Sequence, residues 1–269
     1  FRLFDKDVAA TVTALGREGI MFVVKRAREL GFNALYGDTD SVFIQVPFDK
    51  AEWLAERLSE DLRKYFKDKY KLREEPVLTL KFEKYYRRIL FTEAKKRYAG
   101  WLVWKKGKET DKIDIVGFEA VRSDSAPFTA YAEEKILEEI LRNGGKRVNE
   151  ILKSLVKEAK ERPLDDIALY KSISKPLNEY KTRPPHVRAA LYSNMYLGTN
   201  FGVGDKVKYI WVRRVKGLPP TDVIAFRDES QIRDKVEIDW TKMLDAILYS
   251  PLERILSAVN YRVVRNAWW

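Results

Sequence analysis

The sequence predicts an α+β protein, with an antiparallel sheet and helices in the first part and a mainly helical second part. Three observations carry this. Apolar residues recur at helical spacing near the start, at Val8, Val12, Leu15, Val23, Ala27 and Leu30. Between residues 33 and 116 the apolar period shifts repeatedly to two, as where Val42, Ile44 and Val46 alternate with Ser41, Phe43 and Gln45. Beyond Asp124 long amphipathic stretches take over.

In chain order, the first helix is expected over residues 5–30, with Asp5 or Asp7 capping its start and Gly31 ending it. Short strands at 33–36 and 41–46 follow, joined by the acidic turn Gly37-Asp38-Thr39-Asp40. A helix over 49–66 places Trp53, Leu54, Leu58, Leu62 and Phe66 on one side. After Pro76, strands at 77–84, 87–93, 98–104 and 112–116 form an antiparallel sheet. The second part holds helices at 127–142 and 146–162, interrupted by Gly144-Gly145 and Pro163. Shorter helices are expected at 164–180 and 185–196, strands at 204–212 and 222–226, and a closing helix over 238–259. The change in texture near 122–126 divides the chain into domains 1–124 and 125–269.

Composition narrows the function. The 269 residues carry 51 Lys+Arg against 40 Asp+Glu, a net charge of +11, with 45% hydrophobic residues, one His and no Cys. That hydrophobic content excludes a disordered tail. Absent cysteine excludes a disulfide scaffold, a Cys-ligated zinc or iron–sulfur site and a thiol nucleophile. With His186 as the one imidazole, a Ser-His-Asp triad is disfavoured. No apolar run approaches the ~20 residues of a membrane span, and no signal peptide opens the chain. The reading therefore expects a soluble, cytoplasmic protein with no membrane partner. The excess of cations suits a polyanion such as nucleic acid, or else a heat-adapted surface rich in Lys, Arg and Glu. A chain that starts at Phe1 rather than Met suggests a fragment, a processed product or a piece of a larger machine.

The sharpest local feature is Tyr36-Gly37-Asp38-Thr39-Asp40-Ser41, with two carboxylates at i and i+2 in a hairpin. Such close carboxylates repel unless a positive charge sits beside them, and a hard divalent cation with oxygen ligands supplies one. A plain surface turn is the alternative. A calcium loop lacks its longer ligand ladder here. The segment 81–97 interleaves cations (Lys81, Lys84, Arg87, Arg88, Lys95, Lys96, Arg97) with Phe82, Tyr85, Tyr86 and Phe91, and Tyr98 follows. That pattern suits a phosphate backbone with stacking aromatics, or a charged face over a core stripe.

Tyr-Gly-Asp-Thr-Asp-Ser, after a helix and before an apolar strand, resembles the acidic palm motif of B-family DNA polymerases, and the likeness extends in order along the chain. Val12-Thr13-Ala14-Leu15-Gly16-Arg17 resembles the helix leading into that motif. Lys95-Lys96-Arg97-Tyr98-Ala99 resembles the family's primer-contacting Lys-Lys-x-Tyr motif. Gly117-Phe118-Glu119-Ala120-Val121-Arg122 is similar to the palm–thumb junction. The segment from Ser174 to Lys181, with Pro185-His186-Val187, resembles thumb motifs of archaeal members.

The resemblance implies a palm over 1–124 and a thumb over 125–269. It implies template-directed nucleotidyl transfer with Mg2+, a primer–template DNA and a dNTP as partners, and location at the nucleoid. Asp40 takes the role of direct ligand to the catalytic metals, and Asp38 beside it joins the catalytic pair by shaping the field at the metals or helping at the primer end. Glu83 stands where the family has an acidic residue near the metals, and a solvated strand carboxylate is its alternative. Lys95, Lys96, Arg97, Tyr98 and Arg122 are implied DNA contacts, as are Lys175, Tyr180, Lys181 and His186, the last four otherwise readable as helix surface.

The departures count too. The family's second metal-binding Asp, in Asp-x-x-Ser-Leu-Tyr-Pro, is absent, as are its fingers helix Lys-x-x-x-Asn-x-x-Tyr-Gly and its exonuclease carboxylates. Asn194-Met195-Tyr196-Leu197-Gly198 mimics the fingers motif, but Ala190 stands where the Lys belongs. The resemblance thus implies a partner carrying exonuclease, fingers and the remaining palm: the large subunit of a split polymerase, or the rest of a cut chain. A non-catalytic duplex-binding scaffold and a self-sufficient metal nuclease are the competing readings. Trp268-Trp269 invites comparison with sliding-clamp peptides, but Arg262 and Arg265 occupy the positions of their Gln and aliphatic residue.

Overall fold

The computed structural model describes residues 5–121 and 124–261. It is α+β, with antiparallel strand pairs and helices throughout. Two compact units emerge, Phe1–Tyr85 with Val103–Thr110, and Tyr86–Leu102 with Asp111–Trp269.

In the first unit, helix α1 (Lys6–Glu29) begins where the Asp5 carboxylate accepts from the amides of Asp7 and Val8, as the sequence suggested. Helix α2 (Phe48–Tyr70) turns Leu54, Leu58, Leu62 and Phe66 toward Val23 and Ala27 of α1. Phe22 stacks on Tyr65 with centroids 4.3 Å apart. Glu18 accepts from Tyr65, Lys69 and Tyr70, and that carboxylate raises the Lys69 pKa. Strands β1 (Asn33–Asp38) and β2 (Ser41–Gln45) form an antiparallel hairpin, with a bulge between Ala34 and Tyr36.

The stretch 77–84 was expected to be a strand, and this is corrected: it is extended but has no ladder partner among the described residues, and the next strand begins at Lys84. Its backbone groups bond to α2 side chains instead. The Leu80 amide donates to Ser59 Oγ (2.8 Å) and Arg63 donates to the Leu78 carbonyl (3.1 Å), while Leu78 and Leu80 pack on the α1–α2 core. Alternation signals a face to bury, and a helix serves that face as well as a sheet does.

Strands β3 (Lys84–Phe91), β4 (Tyr98–Lys105) and β5 (Lys108–Val116) form a sheet in that order. Lys106 and Gly107, both at positive φ (47° and 84°), make the two-residue turn between β4 and β5.

In the second unit, helix α3 (Pro127–Asn143) turns Phe128, Ala132, Ile136, Leu137 and Leu141 into a core shared with α4 (Val148–Glu161). The expected helix 164–180 is corrected to a short α5 (Leu164–Ile167), strand β6 (Leu169–Ser172) and a 3-10 turn Leu177–Glu179. Leu169–Ser172 pairs with β7 (Lys206–Val215), a ladder that local helix propensity could not reveal. Helix α6 (Pro185–Tyr196) packs on β8 (Val223–Ala225), where the Ser193 hydroxyl donates to the Ala225 carbonyl (2.7 Å) and accepts from its amide (3.0 Å). Strand β9 (Val236–Ile238), too short to show alternation, also pairs with β7. The expected closing helix is present as one unbroken run over 240–257, in which a π-helical turn (Asp245–Tyr249) joins α7 (Trp240–Leu244) to α8 (Ser250–Ser257). Pro251 lacks the amide a continuous helix needs and its ring crowds the carbonyl four residues back, so the ladder shifts there.

Leu58 is 2% exposed at the centre of the α1–α2 core. Leu58→Ala should cost about 2–5 kcal/mol, read as a lower urea midpoint with the slope unchanged.

Candidate functional site

Asp38 closes β1 and pairs with Ser41, the first residue of β2, so Thr39 and Asp40 are the whole loop. Thr39 sits at φ 47°, in the left-handed region where a β-branched residue is uncommon and costly. Its hydroxyl donates to Asp38 Oδ1 (3.1 Å), and the Ser41 hydroxyl donates to the Asp38 carbonyl (3.3 Å). Asp38 is half-buried and Asp40 exposed, so both carboxylates stand at the tip of a rigid turn. Among the described residues no three acidic or imidazole side chains lie close enough together to hold an ion, so Glu83 does not complete a ligand set with the pair. Glu83 lies in the extended stretch before β3, not on the expected strand, exposed and 3.9 Å from Lys106.

The turn between β3 and β4 carries Lys95 and Lys96, both exposed. Its ends are tied by the Thr92 amide to the Arg97 carbonyl (3.2 Å) and the Arg97 amide to the Ala94 carbonyl (3.3 Å). Lys96 adopts φ 62°. Tyr98 is half-buried beside Phe91, with centroids 5.9 Å apart, and Arg97 faces Glu119 at 3.8 Å. A Cβ on Gly117 (φ 75°) would sit 2.2 Å from the Lys96 carbonyl, so glycine is what lets the two segments touch. The Tyr86 ring lies over Gly100 in the same way, and its hydroxyl donates to Asp114 (2.5 Å). Burial, then Asp114, raises the Tyr86 pKa. Arg87 and Arg142 each stack on Trp101 at 4.9 Å. Arg122 lies outside the described residues, as do Arg262, Arg265 and the terminal Trp268-Trp269.

Lys175, Tyr180 and His186 come together. The Lys175 ammonium lies 4.8 Å from the Tyr180 ring centroid, the His186 ring meets Tyr180 edge-on at 6.2 Å, and the Ser174 amide donates to the Tyr180 hydroxyl. Burial, reinforced by Lys171, lowers the His186 pKa, so the imidazole is neutral at physiological pH. Lys181 is exposed. Arg188 is taken up by Asp222 at 2.7 Å, and Lys171 by Asp124 at 3.8 Å.

Sequence reasoning missed Glu133. It falls on the stripe Thr129, Ala132, Glu133, Ile136, Leu137, the buried face of α3, and a carboxyl on that stripe was the available signal. Glu119, noted in the sequence only as part of a motif, is its neighbour and an ion-pair partner of Arg254.

The profile described as "DNA polymerase family B" matches residues 2–259. The chain is 35% identical to a DNA polymerase of Pyrococcus glycovorans, covering 99% of this chain and 33% of that protein. It is 32% identical to "DNA polymerase 1" of Saccharolobus solfataricus, covering 96% and 27% respectively. The solved family B polymerase of Pyrobaculum calidifontis aligns with a TM-score of 0.61 at 31% identity, over 94% of this chain and 30% of that one. The chain thus spans about a quarter to a third of the length of such relatives.

Gly117→Ala should cost on the order of 2–4 kcal/mol in denaturant unfolding, combining a positive φ with overlap on a backbone carbonyl. Gly107→Ala, at φ 84° with open space around it, should cost only about 1 kcal/mol.

Proposed function

The chain belongs to DNA polymerase family B, and from that premise we propose that it supplies the palm (1–124) and thumb (125–269) of a template-directed DNA polymerase. The observation that carries the reading is the strained two-residue turn that holds Asp38 and Asp40 at its tip, within a chain matched by the family along nearly its whole length. Strain of this kind persists where the surrounding structure over-determines it, and it clusters at working sites.

In the proposed reaction the primer 3′ oxygen bonds to the α-phosphorus of a dNTP and the α–β anhydride bond breaks, releasing pyrophosphate. Two carboxylates two residues apart fit part of the oxygen shell of a divalent cation, and Asp40 with Asp38 would hold Mg2+ there. Bound Mg2+ would supply electrostatic stabilisation of the attacking and leaving oxygens. The hairpin's contribution is to hold the two residues close together, with the Thr39 hydroxyl donating to the Asp38 carboxylate. Lys95 and Lys96 meet the primer-strand phosphates, flanked by Arg97 and Tyr98. Lys175, Tyr180, Lys181 and His186 grip the duplex, with neutral His186 as a hydrogen-bonding group rather than a base.

Two carboxylates do not complete such a shell, so the rest of the palm, the fingers and the exonuclease come from another stretch of polypeptide. The first turns of α1 support this: Val8 and Val12 are 59% and 65% exposed, and Met21 further along is 73% exposed, an apolar surface of the kind that another chain covers. The lack of a third ligand among the described residues also favours a second reading, a non-catalytic duplex-binding scaffold. No helix among the described residues is long and apolar enough to cross a membrane.

Reconstituted with a fragment carrying the missing Asp and fingers, the chain should extend a primer in Mg2+, and Asp40→Ala should abolish extension while leaving duplex affinity intact. Undiminished extension by that variant would sink the assignment, and failure of every reconstitution would favour the scaffold. Replacing Lys95 and Lys96 together by Ala should flatten the salt dependence of duplex binding, lowering the slope of log K against log[salt] by about 1.8.

A further inference from the structure

Glu133 on α3 is fully buried, with 0% of its surface exposed. Its Oε2 accepts from the Ala120 amide. Its Oε1 and the Oε2 of Glu119 are both buried and have no hydrogen-bond donor, although the two carboxyls lie within hydrogen-bonding reach of each other. Two adjacent buried carboxylates cannot both ionise without strong repulsion, and one shared proton satisfies both orphaned oxygens at once. The Oε1 of Glu119 is engaged in the opposite direction, by Arg97 from the β3–β4 turn (3.8 Å) and by Arg254 from α8.

We propose that a hydrogen bond from the Glu133 carboxyl to Glu119 Oε2 makes Glu133 the positioning residue of the Lys95–Lys96 turn, by fixing Glu119 where it holds Arg97. The chain of contact is short. Glu133 anchors the segment 117–121 through both the Ala120 amide and Glu119, and that segment packs on the Lys96 carbonyl at Gly117. Among ionisable groups on other elements packed against α3, Asp166 meets Arg162 and Asp165 meets Lys208, while Asp245 accepts from Ser250 through Oδ2 and keeps a buried Oδ1 with no hydrogen-bond donor.

The geometry has a pH signature. Burial, then the charge of Glu119, pushes the Glu133 pKa up to about 8, from 4.5 in the unfolded chain. Because the folded form holds its proton longer, the contribution to stability is complete below about 4.5, declines as pH rises toward about 8, and is constant above that. Above pH 8 Glu133 has lost the proton it donates to Glu119, and the hydrogen bond that fixes Glu119 is gone. The DNA readout below rests on the reading of Lys95 and Lys96 as phosphate contacts, whereas the titration and exchange readouts do not.

The test compares the full chain with Glu133→Gln and Glu133→Ala. The carboxyl 13C resonance lost in Glu133→Gln identifies Glu133, and in the wild type it should titrate near pH 8. Hydrogen exchange at the Thr92 and Arg97 amides, corrected for intrinsic rates, should accelerate from pH 6.5 to pH 9 in the wild type and not in Glu133→Gln. That amide can still donate to Glu119 and accept from Ala120. Affinity for a primer–template duplex at fixed salt should fall over the same range by about tenfold more in the wild type than in Glu133→Gln, the factor one buried hydrogen bond carries. Glu133→Ala should be weak at both pH values; if it does not fold, the Gln comparison decides. Titration at the ordinary carboxylate value, or equal pH dependence of exchange in wild type and Glu133→Gln, would overturn the proposal. Were no form to bind duplex at either pH, the DNA reading would fail, and titration with exchange would still decide the role of Glu133.

Discussion

Two like charges on a two-residue turn are the constraint from which the first unit is best understood. Asp38 and Asp40 cannot separate, because Asp38 is locked in the β1–β2 ladder opposite Ser41 and the loop between them holds only Thr39 and Asp40. The turn closes by forcing Thr39 to φ 47°, where its Cβ crowds the backbone. An ordinary surface turn would relieve the backbone penalty with Gly or Asn at position 39. Here the α1–α2 core behind the hairpin, built on Val23, Leu54, Leu58 and Leu62, makes the strained turn tolerable by burying Val42 and Ile44 from β2 against it.

A different kind of constraint organises the basic turn in the second unit. Lys95 and Lys96 repel each other as well, yet they are held at the end of a β3–β4 turn whose backbone is pressed on Gly117. Arg97, next in sequence, points its charge at Glu119 and so does not add to the exposed cations. Within this motif the two lysines are exposed, whereas Arg97 lies half-buried beside Glu119. The same division appears around Tyr180, where Lys175 covers the ring while Arg188 is neutralised by Asp222. A net charge of +11 consequently says less about binding than the few cations that remain outward do.

Much of the fold was legible because the largest elements carry strong periodic signals. Helix α2 buries Leu54, Leu58, Leu62 and Phe66, four of the five residues its spacing singled out, whereas Trp53 is 51% exposed; α1 starts at the Asp5 cap. The failures share one cause. Leu78 and Leu80 alternate as a strand would, but their backbone bonds to α2 side chains; Leu169–Ser172 looks helical in its flanks but pairs with β7. In each case the partner lies 15 or more residues away and leaves no local mark. The candidate site divides similarly. The acidic turn and the lysine pair are contiguous and could be read directly, whereas the approach of Glu133 to Glu119 joins a helix to a loop.

The sequence by itself determined the α+β class, the acidic hairpin, the order of the motifs and hence the family, because each depends on residues that are neighbours along the chain. Tertiary structure alone decided that Glu83 is not grouped with the hairpin carboxylates, that Arg97 is an ion-pair anchor, that β6 and β9 complete a sheet on β7, and that a glutamate on the apolar stripe of α3 lies buried against another. Burial and the distance between charges set these outcomes, and both are properties of the folded chain, not of any segment within it.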